Sequence, residues 1–153
     1  MTMIMLVDKN QLERDFGDLP VKLQKKILRP MVRAGATIVK REFKLQLRKY
    51  HRSGTMSKAL TIRPVSKGMR VYALVGVKKD ARGIYKGKNV IPSKYNHLLE
   101  LGHRAFRDKL KRYHPAVSGK FPLRKTVEAT RGAVKAKVEQ VFQEQMRKLN
   151  GAS

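Results

Sequence analysis

The chain has 153 residues, enough for one domain with its own core and short for two. It carries 36 Lys and Arg against 11 Asp and Glu, a formal charge of +25, and no cysteine. Disulfides and thiolate metal sites are thereby excluded, while a chain this cationic repels itself and draws polyanions, acidic protein surfaces or anionic membranes. The hydrophobic share is 41%, slightly low for a globular protein, but these residues stand in periodic blocks, so the chain is expected to fold. No apolar run approaches the roughly 18–20 residues of a membrane span, and the run from Thr2 to Val7 lacks the basic flank of a signal peptide. The expectation is one soluble intracellular domain, working beside nucleic acid or inside an assembly that neutralises it.

Thr2 to Val7 reads as a strand or as an apolar lead-in to the core, and Asp8 as the N-cap of a short helix over Lys9 to Phe16 closed by Gly17. Pro20 marks a fresh helical start. From Val21 to about Lys49, Leu23, Ile27, Met31, Ala34, Ile38 and Leu45 recur at helical spacing. They predict one buried stripe on an otherwise basic helix, which Pro30 should kink or divide. His51 to Thr55 is a turn. Leu60 to Val65 and Val71 to Val77 are rich in β-branched residues and parted by Lys67-Gly68, which predicts a hairpin. Pro64 places the first of these strands at an edge, or ends it.

Lys78 to Lys94 shows no periodicity and reads as a mobile basic arm. Pro92-Ser93 then opens a short apolar helix that passes Tyr95 and Glu100 and stops at Gly102, expected as a left-handed C-cap. His103 to Lys120 is a second irregular basic stretch, with Phe106 and Tyr113 interleaved among Arg104, Arg107, Lys109, Lys111 and Arg112. From Leu123 the helical period returns through Val127, Val134, Val138, Val141, Phe142 and Leu149 and ends at Gly151. The whole predicts a single α+β domain over 1–153, with arms at about 78–94 and 103–120. A long basic N-terminal helix and a long C-terminal helix cover one face of its small antiparallel sheet.

Chemistry is sparse. His51, His97, His103 and His114 fall outside the spacings that make zinc sites recognisable, so no metal is expected. His97 and Glu100 can meet on one helical face, but a structural carboxylate bonded to a nearby arginine or histidine is favoured over a catalytic pair. There is no phosphate-cradling glycine loop, no dinucleotide fingerprint and no serine elbow, so no catalytic residue or cofactor is expected. A small nuclease or toxin lacks its acid–base constellation. The basic stretches suit contact with nucleic acid without sequence readout, through cations on phosphates and Tyr85, Tyr95, Phe106 or Tyr113 stacked on bases. The same aromatics could instead plug into a neighbouring subunit.

Four stretches in order carry a resemblance: Arg52-Ser-Gly-Thr-Met-Ser-Lys-Ala-Leu60, the hairpin ending Val75-Gly-Val77, Tyr95-Asn-His-Leu-Leu-Glu-Leu-Gly102, and Phe121-Pro-Leu-Arg124. Together they resemble the tail-completion, or head–tail joining, proteins of long-tailed double-stranded DNA phages, over roughly Leu19 to Leu149. In the last motif proline follows phenylalanine where the family pattern has it before, and the loop from His103 to Lys120 is longer and more cationic. The resemblance implies a non-enzymatic structural virion protein, made in the host bacterial cytoplasm. It would assemble as a homo-oligomeric ring, six-fold, where the DNA-filled head meets the tail. Its implied partners are the neighbouring head connector and the tail tube or terminator proteins, with possible contact to packaged DNA and none to membrane. The interface residues expected on this basis are Arg52, Tyr95, Glu100, Gly102, Arg104, Phe106, Arg107, Arg112, Tyr113 and Arg124. The rival reading is a basic protein that binds nucleic acid without sequence specificity.

Overall fold

Lysine, arginine, leucine, glutamine and alanine fill most of Val21–Tyr50, and these thirty residues form one uninterrupted helix, α1. The structure, a computed structural model, describes residues 3–4, 21–50, 54–68, 70–107, 109 and 111–151. The expected helix at 9–16 lies outside them. Pro30 stands inside α1 and does not divide it. Lys26, whose carbonyl loses its donor there, is exposed, while Ile27 and Met31 on either side of Pro30 are buried and hold the helix in place.

Helix α1 buries two adjoining stripes, because it has a neighbour on each. Val32, Ala36, Val39, Phe43 and Leu47 form one cluster with Met56, Leu60, Ala73, Val75 and Leu123. Ile27 and Met31 form another with Val138 and Val141. Burying each of the larger side chains contributes about 1.5–3 kcal/mol against leaving it in water. Of the expected single stripe, Ile27 and Met31 belong to the second cluster and Ala34 packs against it, while Leu23, Ile38 and Leu45 join neither. Ala34 and Ile38 are half-buried, and Leu45 is 44% exposed. We expect Leu45→Gln to change unfolding free energy by less than about 0.5 kcal/mol in urea titration, as for an ordinary surface site.

The sheet has the order β1-β3-β2, all antiparallel, from Met3–Ile4, Arg70–Val77 and Leu60–Lys67. Strand β2 is an edge strand, which suits Pro64, paired opposite Ala73. Leu60, Ile62, Ala73, Val75 and Val77 share the face that meets α1, by the two-residue alternation of a strand. A short helix, α2, over Thr55–Lys58 precedes β2 and buries Met56 in the same core.

Pro122–Asn150 form the second long helix, here α4. It runs antiparallel to α1: Val138 and Val141 pack near Ile27, while Lys125 Nζ donates to the Tyr50 hydroxyl at 3.0 Å. Val127, expected in its stripe, is exposed, and the buried positions of the first turns are Pro122, Leu123, Thr126 and Thr130. Both threonine hydroxyls return to the helix, donating to the carbonyls of Pro122 and Thr126 at 2.8 Å. The hydrogen bond from Lys125 lowers the pKa of Tyr50 below the usual tyrosine value, since the ammonium favours the phenolate. Replacing Lys125 with Met should move that titration upward in an ultraviolet tyrosinate titration. A curve unchanged from wild type would show that the contact is not made in solution.

The two stretches expected to be irregular are both built of strands. Gly83–Tyr85 (β4) and Lys88–Val90 (β5) pair as a hairpin, and Lys86 and Gly87 turn between them with positive φ of 49° and 73°. This piece is anchored: Gly83 lies so close to Thr55 that a Cβ would meet its methyl at 2.8 Å, and the Ser93 hydroxyl donates to the Lys79 carbonyl at 2.7 Å. A strand pair this short escapes a search for periodicity. The result is an α+β fold in which two long helices pack together against small antiparallel sheets.

Candidate assembly interface

The short apolar stretch after Ile91 begins as a 3-10 turn at Pro92–Tyr95 and continues as helix α3 over Asn96–Leu101. Glu100 sits on the inner side of α3 and is 4% exposed. Its Oε2 accepts from the Leu123 N–H at 2.9 Å and its Oε1 from the Arg124 N–H at 3.2 Å. These are the second and third residues of α4, whose first, Pro122, has no N–H to satisfy. Glu100 is thus a capping carboxylate supplied from another helix, lying where the helix dipole favours negative charge. The expected partner, an arginine or histidine side chain, is not the one found. His97, three residues earlier, is exposed and does not share the site. A buried carboxylate needs several donors close by, and two aligned backbone amides supply them without ordering a long side chain.

This joint brings the two most distinctive stretches of the sequence together. Phe121, with φ 49° and ψ 45°, turns the chain into α4, and its N–H donates to the Glu100 carbonyl at 3.3 Å. The Lys120 N–H donates to the Leu99 carbonyl at 2.9 Å. Gly102 closes α3 with φ 76° and ψ −168°. The positive φ was expected, but ψ places the residue outside the left-handed helical region, in one that essentially only glycine adopts. The reason is proximity: a Cβ there would stand 2.1 Å from the Val117 carbonyl oxygen and 2.5 Å from the Gly119 nitrogen. A Cβ on Gly119 would in turn meet the Glu100 carbonyl oxygen at 2.4 Å. Two backbones touch at two glycines.

From this root the second basic stretch leaves as a ribbon. Gly102–His103 (β6) pairs with Val117–Ser118 (β9), and Phe106–Arg107 (β7) with Tyr113–His114 (β8). All four pairs keep one register, so the strands form a single interrupted antiparallel arm. Phe106 stacks on His114 with ring centroids 4.7 Å apart, and His103 meets its edge at 5.5 Å. Arg107 lies opposite Tyr113, and Tyr113 is 65% exposed. Near the root, Leu101, Val117 and Phe121 are also exposed.

Of the residues expected at an interface, Glu100, Gly102 and the backbone of Arg124 meet at the root. The Arg124 side chain turns outward to Glu128 at 3.0 Å. Arg104, Phe106, Arg107, Arg112 and Tyr113 belong to the exposed arm. Tyr95 is exposed at the opposite end of α3 from the ribbon, and Arg52 lies outside the described residues. Sequence reasoning missed His103, His114 and Gly119. The signal available for the last was a second glycine directly before Lys120-Phe121-Pro122, while the histidines join Phe106 only through the strand register.

Among the described residues no group of three or more His, Cys, Asp or Glu could hold a metal ion, and no helix is long and apolar enough to cross a membrane. Compared with protein-family models, curated proteins and solved structures, the chain has no match in any of the three.

Proposed function

We propose that this chain is a structural subunit of the neck of a long-tailed double-stranded DNA phage. It is a tail-completion or terminator-type connector that assembles as a homo-oligomeric ring, six-fold, joining the filled head to the tail. It has no catalytic role. The observation that carries the reading is the joint at Glu100. One buried carboxylate caps α4 and ties together the two motif stretches on which the resemblance rests, and a ribbon rich in exposed aromatics and arginine projects from it. Tyr, Phe and Arg are the side chains enriched at protein interfaces. A ring is closed by heterologous contacts, in which an arm from one copy seats on a different surface of the next. The arm is already paired as strands, so it meets its neighbour with less ordering left to do than an irregular loop.

The test is electron microscopy of lysates from a phage carrying an early stop codon in this gene. Filled heads beside complete but unattached tails are the expected result. Tails of abnormal length would make the chain a terminator, and emptied heads a closing plug. Particles indistinguishable from wild type would overturn the reading in favour of a nucleic-acid-binding protein.

A further inference from the structure

The exposed face of α1 differs in kind from that of α4. On α4, opposite charges alternate, with Arg124 beside Glu128 at 3.0 Å, Lys135 beside Glu139 at 3.9 Å, and Gln140 bridging Lys137 to Glu144. That is the ordinary dress of a solvated helix. On α1 the exposed residues include Lys22, Lys26, Arg29, Arg33, Arg41 and Arg48, and no acid. At 100° per residue they fall within an arc of about 120°. The one acid of the helix, Glu42, is on the far side, bonded to Gln46 at 2.8 Å. Cations three and four residues apart repel and destabilise a helix, so a purely solvated face has no reason to keep them.

We propose that this face is a binding track for the phosphate backbone of double-stranded DNA. From Lys22 to Arg48 it extends about 39 Å at about 1.5 Å per residue, close to one turn of duplex at about 3.4 Å per base pair. A protein partner is disfavoured because the face exposes no aromatic and, of its apolar side chains, only Leu45 is markedly exposed. Interface cores need such anchors and are poor in charge, whereas a polyphosphate needs cations alone. The same face of a second copy, equally cationic and without an exposed acid, is repelled. The cationic face of α1 and the aromatic ribbon are thus surfaces of different chemistry. The track rests on α1 alone and not on the neck reading, so either can fail without the other.

The experiment uses the full chain, with its N-terminal acids present, and a labelled duplex of about 30 base pairs read by fluorescence anisotropy over a salt series. Two variants each remove four positive charges: K26Q/R29Q/R33Q/R41Q on the track, and R131Q/K135Q/R147Q/K148Q on the exposed face of α4. The track variant should bind at least about a hundredfold more weakly near 0.1 M salt and lose about four units of salt slope, close to one per phosphate contact. The α4 variant should stay within about threefold of wild type if the contacts are local. The charge-conserving R29K/R33K/R41K should keep the wild-type slope, and the track variant should melt no lower than wild type, since repulsion is relieved. Equal loss in both glutamine variants, or loss in the lysine variant, would overturn the proposal. Displacement of the duplex by polyglutamate at lower charge concentration would overturn it in favour of an acidic protein partner.

Discussion

Gly102→Val is expected to unfold the root of the ribbon at a cost of about 3–5 kcal/mol, combining a Gly-only backbone conformation with forced overpacking. The first contribution comes from φ 76° with ψ −168°, which a β-branched residue does not tolerate. The second comes from what surrounds the new Cβ. Its nearest neighbours are the Val117 carbonyl oxygen, the Gly119 nitrogen and the Ser118 carbonyl carbon, all backbone. A flexible side chain could swing aside, but a paired strand cannot without breaking the pairing of Gly102 with Ser118. At this chain length the loss corresponds to a fall in Tm of roughly 10 °C, read by circular dichroism. Amide exchange should localise the damage to the ribbon and leave the α1–α4 core protected. In a phage, the variant should lower particle yield through a misplaced arm. A Tm within a degree or two of wild type would remove Gly102 from the role assigned to it.

Glu100→Ala is the second large effect, expected at about 2–4 kcal/mol from loss of a cap and the desolvation of two amides left without acceptors. The Leu123 N–H is in a buried setting and the Arg124 N–H is part-buried, so water does not readily replace the carboxylate. Glu100→Gln offers a graded comparison. Its amide oxygen still accepts one bond, its NH2 cannot accept the other, and the charge that complements the helix dipole is gone, so about half the loss is expected. Urea titration of both variants measures the ordering. Equal unfolding free energies for the wild-type chain and the Glu100→Ala variant would show that the cap contributes nothing. Ribbon protection that survives in the glutamine variant but not in the alanine variant would tie its placement to the cap as well as to the glycines.

The identities of Glu100 and Phe121-Pro-Leu-Arg124 made both stretches conspicuous in the sequence, and Gly102 announced a positive φ. Their meeting was not legible, because a carboxylate capping a helix twenty-two residues later along the chain leaves no local pattern. The hairpins at 83–90 and 102–118 escaped for a related reason. Their strands are two or three residues long, too short for alternation to register, and what stabilises them is cross-strand pairing and contact with Thr55 or Gly119. The phase of α1 was ambiguous because two neighbours bury two stripes about one residue apart. Leu45 is in phase with Ile27 and Met31 but not with Phe43 and Leu47, and it falls outside both clusters.

By itself the sequence determined the α+β class, the two long helices, the hairpin from Leu60 to Val77, and the concentration of cations on α1, since each is written in periods and turn residues adjacent in the chain. Only the tertiary structure decided that Glu100 faces backbone amides rather than a cation, that the second basic stretch is a ribbon rooted between two glycines, and that the cationic face of α1 stays exposed. Those three depend on which surfaces meet, and surfaces meet through the packing of residues distant in sequence.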